Sequence, residues 1–217
     1  MKPKESSLEI FHQYISEIFE DNARHVENAK LHVEDYFPVI QKPRATLLMC
    51  SDSRMQAAAF DATPINDLFV IRNIGNQIST AEGSIEYGVL QLKTPVLLIA
   101  GHSRCGAIDA SLKNHSHFSP YVRAELDSLQ TNKARTIEEA VIENIHKQVD
   151  YALSKFASLV LKGELFINGL LYDFSNDYQL GHGKLILLNI NGEKDPKKLM
   201  ENPVHQLSKF VQIGLPS

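Results

Sequence analysis

Two stretches decide the reading of this chain: Thr46-Leu47-Leu48-Met49-Cys50-Ser51-Asp52-Ser53-Arg54 and Pro95-Val96-Leu97-Leu98-Ile99-Ala100-Gly101-His102-Ser103-Arg104-Cys105. Each is an unbroken apolar run that ends in chemically capable polar residues, the pattern of a buried strand delivering its groups to its C-terminal end. In open parallel α/β sheets ligands collect at that edge. The chain has 2 cysteines, and both fall there, with His102 close to the second. Two thiolates and an imidazole are a donor set for zinc.

Working outward, Asp67-Leu68-Phe69-Val70-Ile71-Arg72-Asn73 has a β-branched centre and reads as another buried strand, closed by Gly75. Thr80, Gly83, Ile85, Val89 and Leu92 read as a helix leading to the strand at Val96. Two strands separated by a helix form a parallel crossover. The expected class is therefore α/β, a central mostly parallel β-sheet flanked by helices. Residues 55–60 are helix-compatible, and 106–113 continue as a helix from Cys105. Ile137, Val141, Ile145, Val149, Ala152, Phe156 and Val160 recur at helical spacing, predicting one long core-facing helix that ends near Gly163. Strands are expected at 165–174 and 184–190, joined as a hairpin.

Upstream, Ser6 and Glu9 offer a capping box, and Leu8, Phe11, Ile15 and Ile18 give an amphipathic helix running into the twenties. Its apolar face packs on its own domain or reaches across a dimer. The organisation expected is a single domain over 1–217, with an N-terminal helical arm at 1–40, an α/β core at 41–192 and a C-terminal tail at 193–217.

Composition excludes several classes. At 217 residues and 43% hydrophobic content the chain supports a real core, and a formal charge of -4 gives no basic footprint for nucleic acid. Residues 1–15 carry charges and no apolar signal core, and no run approaches the roughly 18 residues of a membrane span. The expected location is cytoplasmic, where a metal or catalytic role for Cys50 and Cys105 outranks a disulfide.

Catalytic zinc takes three protein ligands and leaves a fourth position for water, whose pKa falls to about 7. Cys50, His102 and Cys105 supply three. Asp52 either accepts a hydrogen bond from that water or swings in as a fourth ligand. A bidentate pair with Arg54 would hold it away and ionised, and breaking the pair would shut the site. Two thiolates cancel the metal's charge, so the apparent pKa of activity is expected above the ~7 of three-histidine sites. A closed structural zinc site uses the same donors, but a core of this size needs no staple. The paired signature of zinc deaminases is absent.

Cys50-Ser51-Asp52-Ser53-Arg54 followed by His102-Ser103-Arg104-Cys105-Gly106 resembles the β-class carbonic anhydrases, and the similarity runs from about Gln41 to Asn191. The family interconverts carbon dioxide and bicarbonate. The resemblance implies one Zn²⁺ per chain on Cys50, His102 and Cys105, attack of zinc-bound hydroxide on the substrate, and Asp52 with Arg54 as the dyad beside the bound water. It also implies a small substrate pocket in which Gln41 donates its amide, Phe69, Ile74 and Tyr87 give apolar walls, and Gly106 contributes. Read alone those three apolar residues are core positions first, and the resemblance reverses that reading. The resemblance further implies a homodimer or dimer of dimers, with the pocket at the interface and the first helix crossing over. Leu47 stands where one subgroup carries the Trp of an inhibitory bicarbonate site, which points to the open subgroup. The alternatives are a non-catalytic zinc scaffold or sensor, and a hydrolase of sulfur analogues of carbon dioxide.

Overall fold

The α/β expectation holds in the computed structural model, which describes residues 7–29, 38–129, 136–201 and 212–214. Four strands, β1 (Ala45–Cys50), β2 (Leu68–Asn73), β3 (Val96–His102) and β4 (Phe166–Asp173), run parallel. They join β5 (Lys184–Ile190), antiparallel to β4, and β6 (Gln212–Ile213) in one sheet of order β2-β1-β3-β4-β5-β6. From β1 the chain moves outward to the edge strand β2, then returns across β1 to β3. The connections after β1 and β3 therefore leave on opposite sides, and a crevice opens between the C-terminal ends of those two strands. Every residue of β1 is buried, which is why its sequence reads as a run without alternation.

The helices in chain order are α1 (Ser7–Ala29), α2 (Glu82–Glu86), α3 (Gly106–Ser111), α4 (Pro120–Ser128), α5 (Ile137–Lys155), α6 (Ala157–Leu161) and α7 (Pro196–Glu201). Helix α5 lies against β3 and β4, and Ile145 is its closest point of approach. A Cβ on Gly101 or on Gly169 would sit 2.8 Å from the Ile145 side chain. Two glycines in neighbouring strands thus form the seat of one isoleucine, and strand β3, which ends in His102, is held from above. Thr136 caps α5, its Oγ1 accepting from the Glu139 amide at 3.2 Å.

Three expectations change in detail. The long helix does not run unbroken to Gly163: Phe156 leaves helical geometry to bury its ring in the core, and the short α6 follows. The helix expected over 80–92 is only α2, extended by a single π turn at Tyr87–Gln91. Residues 55–60 make just a 3₁₀ turn at Ala57–Ala59. The sequence reading placed no helix at α4, although Phe118, Val122, Leu126 and Leu129 recur at helical spacing across it; Ser119 caps it, with Pro120 at its first position.

The chain divides into two compact units, 1–41 and 42–217. The sheet and helices α2 to α7 belong to the second. The first holds α1, the helix that the spacing predicts, whose apolar residues Leu8, Phe11, Ile15 and Ile18 are exposed, while Ser6 of the expected capping box lies outside the described residues. No helix among the described residues is long and apolar enough to cross a membrane.

Candidate metal centre and substrate cavity

Cys50 ends β1, His102 ends β3, and Cys105 precedes α3, so all three side chains meet in the crevice. Their donor atoms lie within 4.8 Å of one another, all three residues are buried, and no other such group occurs among the described residues. Arg104, between the last two, adopts φ +52°, a left-handed turn that brings His102 and Cys105 to the same point. Its guanidinium is tied to Asp177 at 2.6 Å. Asp173, fully buried, accepts from the amides of Asp177 and Tyr178 at 3.1 and 3.0 Å and so fixes that anchor.

The three donors fit zinc. The sulfurs of Cys50 and Cys105 are 3.9 Å apart; a tetrahedral ion with Zn–S bonds of about 2.3 Å sets them about 3.8 Å apart. His102 Nδ1 lies 2.9 Å from the Ser103 carbonyl, which fixes the tautomer with the proton on Nδ1. Its Nε2 then offers a lone pair, and that atom is buried with no hydrogen-bond partner. A buried, unpaired imidazole nitrogen facing two thiols is a costly arrangement for a protein alone and a natural one for a metal ligand. In the protein alone the two thiols share a proton: the Cys105 thiol donates to Cys50, drawing Cys50 well below the usual thiol range, and burial beside that charge pushes Cys105 up.

Asp52 stands just outside this trio, its Oδ2 3.9 Å from His102 Nε2. Arg54 donates Nε to Oδ1 at 2.8 Å and Nη2 to Oδ2 at 2.7 Å, and its backbone amide reaches Oδ1 at 3.0 Å. These bonds hold the carboxyl far below the ordinary carboxylate range, so Asp52 is an acceptor at any working pH. Arg54 is itself placed: Nη2 reaches the Arg104 carbonyl at 3.3 Å, and the guanidinium lies 4.3 Å above the Phe174 ring. Phe174 also stacks on His102 at 5.4 Å and meets the Tyr172 ring edge-on at 6.0 Å. One aromatic ring thus supports a metal donor and the arginine of the dyad together.

Arg72 is a residue sequence reasoning passed over. It donates Nε to the Cys50 carbonyl at 3.2 Å and Nη2 to the Asp52 carbonyl at 2.8 Å, clamping the turn that presents both side chains. The signal was there: a cation closing β2, a strand parallel to β1 and ending at the same edge.

A cavity of about 340 Å³ opens from Cys50, Ser51 and Asp52 and is walled by Ile74, Gly106, Ala107, Ala110, Phe118, Val122 and Leu126. Ile74 and Gly106, which the resemblance assigns to the substrate pocket, line this cavity. Asn73 bonds the Gln77 backbone at both ends, 2.6 and 2.8 Å, and so sets the loop that carries Ile74. The wall made by Phe118, just before α4, and by Val122 and Leu126 on it was not read from sequence. Phe69 and Tyr87 lie together, ring centroids 5.8 Å apart, and are not among the residues lining this cavity. Phe69 pairs with Thr46 near the start of its strand, four residues before Asn73, which at about 3.3 Å per residue is some 13 Å from the C-terminal edge. Gln41 belongs to the N-terminal unit.

Comparison with known proteins agrees with this geometry. A family model described as carbonic anhydrase matches residues 45–179. A carbonic anhydrase of Synechocystis sp. is 32% identical, over 80% of this chain and 84% of that protein. The solved β-carbonic anhydrase CcaA is similar with a TM-score of 0.63 at 27% identity, over 75% of this chain and 83% of its own. In fold, the chain is also similar to one from the crystal structures of two tetrameric β-carbonic anhydrases of Sordaria macrospora, with a TM-score of 0.68 at 21% identity, over 83% and 97%. The match spans both metal-ligand motifs and the sheet that positions them, and the chain belongs to the β-class carbonic anhydrase family, a family of lyases that hydrate carbon dioxide.

Proposed function

We propose that this chain hydrates carbon dioxide reversibly with one zinc ion held by Cys50, His102 and Cys105. The observation that carries the reading is the buried, unpartnered His102 Nε2 facing two thiols, with an ionised carboxylate 3.9 Å away. Zinc, when bound there, supplies the Lewis acidity that makes water a nucleophile near neutral pH.

The chain's own residues do the rest. Asp52, locked by Arg54, can only accept, so a water beside it points a proton at the carboxylate and a lone pair into the cavity. Ile74, Ala107, Ala110, Val122 and Leu126 offer a substrate without charge an apolar chamber and keep bulk water from the reacting face. The resemblance alone assigns the substrate-facing amide to Gln41, where a donor would stabilise developing negative charge.

The assembly we propose is a homodimer or a dimer of dimers, with Phe69 and Tyr87 walling the neighbouring subunit's cavity and α1 crossing over. The exposed apolar side of α1 and the position of Phe69, far from its own cavity, support this. Light scattering of the full chain against one beginning at residue 38 tests the assembly.

Stopped-flow hydration on zinc-quantified protein at about pH 8.5 tests the activity, above the ~7 reference of zinc-activated water. Fast hydration that is lost in Asp52→Asn is expected. Full zinc occupancy without hydration would leave the proposal untenable.

A further inference from the structure

The cavity beside Cys50 and Asp52 has walls from two separate parts of the chain: Ile74, on the loop after β2, and Val122 and Leu126, on α4. A small substrate without charge gives the protein little to grip, so the separation of those walls has to orient it. The role assigned below rests on the hydration activity proposed above.

The loop takes its shape from α5. Asn144 donates Nδ2 to the Gly75 carbonyl at 2.9 Å, the Ile78 amide donates to Gln148 Oε1 at 2.8 Å, and Gln148 Nε2 reaches Asn144 Oδ1 at 3.1 Å. The Gln77 side chain, fully buried, turns to α4 instead. Its Nε2 donates to the Ile74 carbonyl at 2.9 Å and to the Glu125 carbonyl at 3.0 Å, with the Glu125 carboxylate 3.3 Å away, and its Oε1 accepts from Ser128 Oγ at 2.5 Å. These partners fix the amide's orientation, since the oxygen meets a hydroxyl and the nitrogen meets carbonyls. Glu125 lies in the last turn of α4, where carbonyls lack helical partners, so the same bond closes the helix end. Among the described residues, every hydrogen bond between the loop and α4 comes from Gln77. Leu129 lies against Gly75, where a Cβ would come within 2.6 Å of it, so the two segments are as close as a glycine permits.

A buried amide costs stability unless its donors and acceptor are paired, a demand that an apolar side chain of the same reach would not make. The connection it makes explains the glutamine. We propose that Gln77 is a positioning residue that sets the width of the substrate cavity, holding Ile74 against α4 at the separation that suits a linear, uncharged substrate of three atoms. It acts through the Ile74 backbone on one side and, on the other, through the last turn of α4, which carries Leu126.

The test uses zinc-loaded, full-length protein and Gln77→Met, which keeps length and burial and removes the bonds. With one wall free to shift by roughly half an ångström, kcat/KM for carbon dioxide should fall about tenfold at unchanged zinc content. Independently of activity, calorimetry with two zinc-binding probes reads the width itself: benzenesulfonamide, which carries a ring, should gain affinity severalfold relative to sulfamide, which carries none. Loss of stability alone would lower the folded fraction and leave that ratio where it was. Ser128→Ala removes the bond to Gln77 Oε1 and should move both readings the same way, kcat/KM by about threefold; it carries the test if Gln77→Met does not fold. A kcat/KM within about twofold of wild type in folded, zinc-loaded Gln77→Met, or a fall in kcat/KM with the probe ratio unmoved, would overturn the assignment. Where Ser128→Ala stands in, no change in either reading would do the same. Wild type that holds zinc but does not hydrate carbon dioxide removes the activity reading alone, since the probe ratio still reports whether Gln77 sets the width.

Discussion

Removing the Arg54 side chain isolates what holds Asp52 off the metal. Arg54→Ala deletes two side-chain bonds to the carboxylate, at 2.8 and 2.7 Å. A bond to an ionised partner contributes about 1.5–3 kcal/mol when buried. The Arg54 side chain is 50% exposed, and solvent screening reduces each bond to about 1 kcal/mol. Their sum, about 2 kcal/mol, corresponds to roughly thirtyfold in the balance between carboxylate held away and carboxylate turned inward. The turn is short, since Oδ2 already lies 3.9 Å from His102 Nε2. Zinc content should therefore hold while hydration falls by up to about thirtyfold, and metal-edge X-ray absorption should gain a carboxylate oxygen in the first shell. Arg54→Lys, with a point charge in place of the fork, should fall between the two. Hydration within about twofold of wild type, with no added oxygen ligand, would refute the argument that this pair governs the site.

Further outcomes test other parts of the molecule. Gly169→Val should force Ile145 from its seat and lower stability by about 1–3 kcal/mol by denaturant titration, with activity per folded molecule kept. Ala110→Leu should fill part of the cavity and lower kcat/KM about tenfold by misplacing substrate, at unchanged zinc content. Arg44 bonds Asp67 and, with a second bond from Asp61, draws its pKa down to about 2. The folded value lies below the unfolded one, so this pair's contribution is complete above about pH 4 and is lost as pH falls toward 2. Thermal melts of Arg44→Ala should accordingly lose part of the wild-type decline over that acid window and match its slope at neutral pH.

The sheet and the meeting of Cys50, His102 and Cys105 were legible because burial on both faces writes β1 and β3 as unbroken apolar runs, and because strand ends deliver side chains to a predictable edge. Lys184–Ile190 was read to its limits for the same reason. Helix α4 went unread although Phe118, Val122, Leu126 and Leu129 recur at helical spacing, because nine residues, with Tyr121 among them 86% exposed, carry that period over few turns. Its cavity wall was lost with it. Arg72, Phe174 and Asp173 act through backbone carbonyls, a ring face and loop amides, and such partnerships are set by topology rather than by spacing along the chain. Phe69 and Tyr87 carry a different lesson: the resemblance named them, and a strand position four residues from the edge sets Phe69 away from the cavity at Cys50 and Asp52.

The left-handed turn at Arg104, anchored through Asp177 and Asp173, has a thermodynamic corollary. Because β1, β3 and that turn set the three donors before any ion arrives, metal uptake by this protein should require little folding. Titration calorimetry of the metal-free chain should then show a heat-capacity change near zero, unlike small zinc modules, where binding free energy is folding free energy and apolar burial leaves a large negative value. Proton release on uptake should dominate the measured heat instead, scaling with the ionisation enthalpy of the buffer.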